Sequence, residues 1–119
     1  KYDIHKAVFK DESSSEPVRL PDEVNYLCSA HPFIAPDESV LLWMHNQRVQ
    51  QVENICQFQN SDGSWVKAVR IGEAVNKTRT EFNASISPDG KFIFFHRRVN
   101  ENVNIYWVSR EILNNLREK

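Results

Sequence analysis

Chemistry in a protein needs acids, histidines, thiols or cations brought together, so their types and spacing are read first. His5, His31, His45 and His96 are scattered, and no two stand at i, i+2 or i, i+4 with a carboxylate that would complete a metal site. Asp37 and Asp89 are the tempting acids, since two equivalent carboxylates could divide acid and base roles. Each follows a proline, however, and an aspartate hydrogen-bonding its own turn accounts for both. No Gly-x-Ser-x-Gly occurs, and Gly63, Gly72 and Gly90 are too few for a phosphate-cradling loop. These residues point away from an enzyme and ask for no metal or cofactor.

The basic run His96-Arg97-Arg98, extended by Lys77 and Arg79, could form a cationic patch beside Phe94 and Phe95. Glu81 and Glu101 dilute it, and a net charge of -1 offers nucleic acid little long-range attraction. Trp43 reads as core. Trp107 alternates with Tyr106, so one of the two must meet a neighbouring element or a partner, which makes Tyr106 and Trp107 candidate interface residues. His45 and His96 each follow an apolar strand and would face a shared funnel if repeated units stack around an axis. With Arg97 and Arg98 they complete the candidate interface or ligand-binding set. Cys28 and Cys56 lack Cys-x-x-Cys spacing, which argues against a metal knuckle, while a disulfide stays open for an exported chain. Asn76-Lys77-Thr78 and Asn83-Ala84-Ser85 fit a glycosylation pattern that is frequent by chance.

The elements that must position these residues come from a chain of 119 residues, the length of one domain, with 40% hydrophobic and 26% charged residues. The longest apolar runs, such as Val40-Leu41-Leu42-Trp43-Met44, are strand-sized and far short of the roughly 20 residues that span a bilayer, so no membrane role is expected. The start, Lys1-Tyr2-Asp3-Ile4-His5, lacks an initiator Met and a secretory apolar stretch, as expected of a processed, trimmed or excised product. Periplasmic and cytoplasmic settings both stay open.

The chain repeats itself. Pro17-Val18-Arg19-Leu20 matches Ala68-Val69-Arg70-Ile71, and the same shift of 51 residues carries Val24-Asn25 onto Val75-Asn76. Ile34-Ala35-Pro36-Asp37-Glu38 falls on Ile86-Ser87-Pro88-Asp89-Gly90 at a shift of 52, each copy followed by a short apolar strand. Asp3-Ile4-His5, Asn54-Ile55-Cys56 and Asn104-Ile105-Tyr106 recur at shifts of 51 and 50. Pro-Asp-Gly and Asp62-Gly63 are turn signals, so one period holds four short antiparallel strands. In the last copy these run from Phe82 to Ser87, Lys91 to Arg97 and Asn102 to Ser109, with the fourth strand exemplified by Trp65 to Ile71. The chain starts mid-cycle: a partial unit over 1–25, a second over 26–76 and a third over 77–109. Beyond it, Ile112, Leu113 and Leu116 stand at helical spacing, with Ser109 as cap, Glu111 in the first turn and Arg117 and Lys119 at the far end, predicting a helix over 110–118.

These residues resemble the TolB-like, WD-like β-propeller repeats, in which Ser-Pro-Asp-Gly and an aromatic strand precede an Asp-Ile-Tyr strand. The best copy is Ile86-Ser87-Pro88-Asp89-Gly90-Lys91-Phe92-Ile93-Phe94-Phe95 followed by Asn104-Ile105-Tyr106-Trp107-Val108, while Glu38-Ser39 replaces Gly-Lys in the earlier copy. The resemblance implies an all-β fold of four-stranded antiparallel blades. Family propellers close with about six or more blades, and this chain supplies only about two and a quarter. It is therefore a piece of a larger propeller, a chain that completes a ring with its own copies, or a small repacked sandwich. Unpaired edges favour self-association, and the expected function is a non-catalytic binding or assembly module acting through protein contacts. A small-molecule or carbohydrate-binding module, or the non-catalytic propeller of a larger enzyme, stands as the alternative.

Overall fold

Short runs rich in β-branched and aromatic residues, separated by Pro-Asp and Asp-Gly turns, leave the backbone no room for long helices. The computed structural model, which describes residues 2–25, 28–48 and 51–117, is accordingly all-β with one short C-terminal helix. In the first sheet β1 (His5–Lys6) pairs with β4 (Val18–Arg19), and the connection carries a small hairpin of β2 (Phe9–Lys10) and β3 (Ser13–Ser14). The central sheet is antiparallel and runs in chain order through β5 (Ser29–Ile34), β6 (Val40–Arg48), β7 (Gln51–Phe58) and β8 (Val69–Arg70). The third sheet contains β9 (Glu81–Ile86), β10 (Phe92–Val99) and β11 (Asn102–Ser109), also antiparallel, and α1 (Ile112–Arg117) closes the described chain.

Strand alternation gives the central sheet two apolar faces. Leu41, Trp43 and Ile55 pack with Ile4 and Val24 of the first unit. Val40, Leu42, Cys56 and Phe58 pack with Ala84, Ile86, Ile93 and Phe95 of the third sheet, and Leu113 joins them. The three sheets are thus stacked face to face in chain order. A helix of six residues is marginal alone, and α1 is held by buried Leu113 and by the Arg117 guanidinium over the Phe58 ring at 5.5 Å. The Glu111 N–H donates to Ser109 Oγ at 3.2 Å, as a cap should, but Glu111 lies before the helix rather than in its first turn. The expected helix end at 118, Lys119 and the expected start of the second unit at 26 lie outside the described residues.

The repeat is written into hydrogen bonds as well as letters. Buried Asn25 accepts from the Ile4 N–H at 2.6 Å and donates to the carbonyls of Ile4 and Leu20. Buried Asn76 does the same one period on, accepting from the Asn54 N–H at 2.9 Å and donating to the carbonyls of Asn54 and Ile71. In each unit the amide oxygen meets a third-strand N–H, and the amide nitrogen adds a second donor to a carbonyl that also accepts from the fourth strand, Ile4 from the Leu20 N–H and Asn54 from the Ile71 N–H. The Asn76 side chain is committed in this way at both its oxygen and its nitrogen. Ion pairs repeat too: Arg19 with Asp3 at 3.0 Å, and Arg70 with Glu53 at 3.3 Å.

Two expectations are corrected by the ladders. The fourth strand expected over Trp65 to Ile71 shrinks to β8, with Trp65 joined to Gln59 by an isolated bridge. The Asx-Ile copies are also displaced by one residue. Leu41 faces Gln57 while its counterpart Ile93 faces Val108, so Ile55 corresponds to Tyr106 and Cys56 to Trp107. Likewise His5 faces Arg19 as Ile55 faces Arg70, so Ile4 corresponds to Asn54. A one-residue slip exchanges the faces of a strand, and burial, not the shared Asn-Ile letters, sets the register.

The Pro-Asp turns demand a left-handed residue at their exit. Gly90 adopts φ +75° there, and Glu38, its counterpart, is held at φ +59°. A side chain in that region is strained by about 1 kcal/mol. Glu38→Gly is expected to raise stability by about 0.5 kcal/mol or more, and Gly90→Ala to lower it by about 1 kcal/mol, read from urea midpoints at constant slope.

Candidate functional site

The Pro-Asp and Asp-Gly turns dispose of the acids first. Asp37 accepts from the Ser39 hydroxyl at 2.6 Å and its N–H at 3.0 Å, and Asp89 accepts from the Ser87 hydroxyl at 2.6 Å and the Lys91 N–H at 3.0 Å. Asp62 is bonded to Ser64 in the same way. These serine hydroxyls, with the turn N–H groups, hold all three carboxyls below the usual range, as stable turn anions rather than proton carriers. Among the described residues no group of three His, Cys, Asp or Glu side chains converges as a metal cluster would.

The six candidate residues separate into two sets, on opposite faces of the third sheet and its neighbour. His45 lies on the face of β6 that meets the first unit: it is buried, its Nε2 is 3.2 Å from the Val24 carbonyl, and its ring is 6.0 Å from Trp43. Its ladder counterpart on β10 is Arg97, whereas His96 corresponds to Met44 and faces the other way, stacked on Phe82 at 5.1 Å. The funnel expected to be shared by His45 and His96 is therefore not formed, because one residue of offset places them on opposite faces. The His96 Nδ1 is buried without a hydrogen-bond partner among the described residues.

Arg97 leaves the basic run altogether. It points inward, pairs with fully buried Glu81, and lies over the Tyr106 ring at 4.7 Å and the Phe95 ring at 5.3 Å. Thr78 donates its hydroxyl to the same carboxylate at 2.6 Å, and the Asn54 amide donates to the Glu81 carbonyl at 3.0 Å, tying the central sheet to the third. Burial pushes the Glu81 carboxyl up, but the Thr78 hydroxyl and the Arg97 guanidinium outweigh it and hold the group below its ordinary value. In the sequence Glu81 reads only as a charge that dilutes the basic run, because no local spacing announces a pair made across a ladder. Arg98, Lys77 and Arg79 remain exposed.

Tyr106 and Trp107 take the opposite faces that their alternation requires. Tyr106 is half-buried, stacked on Phe95. Trp107 points away from the core with 62% of its surface exposed and its ring edge-on to Phe92 at 5.1 Å. Around it on the same face stand Phe94, Ile105 and Val103, paired across the ladder as Phe94 with Trp107, His96 with Ile105 and Arg98 with Val103. Cys56 is buried in the core, which pushes its thiol up to about 12, and Cys28 accepts from the Tyr2 N–H; both are unpaired.

No family model matches this chain, and no curated protein does. Among solved structures it is similar to the crystal structure of TolB from Acinetobacter baumannii, at 19% identity and a TM-score of 0.46. The match covers 80% of this chain, which spans only 21% of that protein. That likeness is one of fold at most. No helix of the described residues is long and apolar enough to cross a membrane.

Two consequences are testable. Burial depresses the His45 imidazole below 6.5, more than the Val24 carbonyl and the Glu53 charge raise it. The unfolded chain then takes up a proton before the folded one does, so stability is full above about pH 6.5 and is lost as pH falls through the folded value. The melting temperature is expected to fall by about 1–3 °C between about pH 7.5 and 5.5, and to fall less in His45→Gln. Glu81→Gln leaves the guanidinium of Arg97 buried without its counter-charge, and the urea midpoint is expected to report a loss of about 3 kcal/mol.

Proposed function

We propose that this chain is a non-catalytic assembly module that pairs with a second copy of itself through the outward face of its third sheet. One observation carries the reading. Val40, Leu42 and Cys56 form the central sheet's face toward the third sheet and are each 0% exposed, whereas their counterparts Phe92, Phe94 and Trp107 are covered by no further sheet among the described residues. Ile105 and Trp107 are 67% and 62% exposed.

With Phe92, Phe94 and Val103 this face presents apolar surface on the order of 400 Å², within the range that marks interaction sites on soluble proteins. Its aromatic side chains are rigid anchors of the kind that dominate interface energetics. Two copies of one twisted sheet pack by a two-fold axis at about -30°, giving an isologous, closed contact. Burying Trp107 and Ile105 together contributes about 3–6 kcal/mol toward such a pair. The carboxylates bonded into turns and the inward-facing Arg97 leave, among the described residues, no convergent acid, base and nucleophile on this face, which favours assembly over catalysis.

Light scattering after size-exclusion chromatography, over a roughly tenfold concentration range, tests this. The expected mass rises toward twice 13.9 kDa with a melting temperature that climbs with concentration, and the double variant Trp107→Lys/Ile105→Lys stays at 13.9 kDa and melts cooperatively at a temperature independent of concentration. A chain of 13.9 kDa at every concentration, or a double variant that still dimerises, overturns the reading.

A further inference from the structure

Arg79 and Arg98 take no part in the packing that Arg97 serves. Arg97 turns inward to fully buried Glu81, so Arg98 turns to the other side of β10, and Arg79 stays in the loop before β9. Neither Arg79 nor Arg98 forms an ion pair among the described residues. Backbone bonds nevertheless fix them close together. The Arg98 N–H donates to the Thr80 carbonyl at 3.4 Å, and the Thr80 hydroxyl donates to the Arg98 carbonyl at 2.9 Å. On the other side the Val52 N–H of the central sheet donates to the Arg79 carbonyl at 2.9 Å.

Both arginines line one cavity of about 660 Å³ at the start of β9, where the central and third sheets meet. Its size suits a small molecule, for which sites of about 300–1,000 Å³ are usual. Part of the wall is apolar: Met44 of β6, Val52 of β7 and Phe82 of β9, whose ring is stacked on His96 at 5.1 Å. The rest is cationic and polar, with the Asn100 amide beside the two arginines. No acid is among the described residues that line it, because Glu81 is committed to Arg97 and Thr78. Two cations held at one cavity repel each other, and an anion placed between them turns that repulsion into attraction.

We infer that this cavity binds a phosphate monoester carrying an apolar or aromatic group, with the phosphate on Arg79 and Arg98 and its substituent against Met44, Val52 and Phe82. The pairing of two guanidinium groups selects the head group. Each guanidinium is a planar fork of N–H donors that grips two oxygens, so a carboxylate, with two oxygens and one charge, satisfies only one fork. A phosphate monoester has three terminal oxygens and nearly two negative charges at neutral pH, enough for both forks. The apolar wall selects the substituent, since inorganic phosphate would leave it bare. The site does not depend on self-association.

The probe is phenyl phosphate, titrated into the full chain by calorimetry at about pH 7.5 and about 50 mM salt, at two protein concentrations about fivefold apart. Inorganic phosphate and benzoate are titrated alongside. Saturable binding with a Kd of about 1 mM or below is expected, about fivefold or more tighter than either comparison and the same at both protein concentrations. Arg79→Gln and Arg98→Gln, both at exposed positions, are each expected to weaken it about tenfold while the melting temperature moves by less than about 2 °C. Lys77→Gln removes a further exposed cation, one outside the cavity, and is expected to leave the affinity within about twofold, which separates a formed site from general charge attraction. Absence of saturable binding, equal affinity for benzoate or inorganic phosphate, undiminished binding by either arginine variant, a loss in Lys77→Gln as large as theirs, or an affinity that changes with protein concentration overturns the inference.

Discussion

Everything in this structure depends on the central sheet being buried on both faces. A β-strand alternates its side chains, so a run such as Val40-Leu41-Leu42-Trp43 is stable in water only if something apolar meets each side. The first unit meets Leu41 and Trp43, the third sheet meets Val40 and Leu42, and the order of the stack follows from the order of the chain. Single β-sheets of two or three strands are marginal alone, and here neither outer sheet can be separated from the middle one without exposing its core. Asn25 and Asn76 fix the spacing by bonding each unit's closing loop to the backbone of its own third strand.

Much of this was legible in the residues, for local reasons. Pro-Asp turns and the Val-Asn loop depend on few neighbours, and so they repeat visibly at shifts of 51 and 52. The all-β class, the alternation of Tyr106 with Trp107 and the C-terminal helix follow from patterns of the same short range. What was not legible is register. Asn54-Ile55 and Asn104-Ile105 look equivalent as letters, yet Ile55 is buried and Ile105 is among the most exposed apolar side chains. The face that a strand presents is decided by what covers it, and that information lies in other strands.

The same limit explains the basic run. Three consecutive basic residues on a strand cannot form one patch, because the middle one must point to the other face. Arg97 is the middle residue, and inside the stack its charge is met by Glu81 across the β9–β10 ladder, with two aromatic rings beneath it. Removing a charge from the surface in this way costs desolvation that only a close partner and further hydrogen bonds offset, and Thr78 supplies one of these. A cluster that reads as a surface electrostatic feature thus becomes a structural joint.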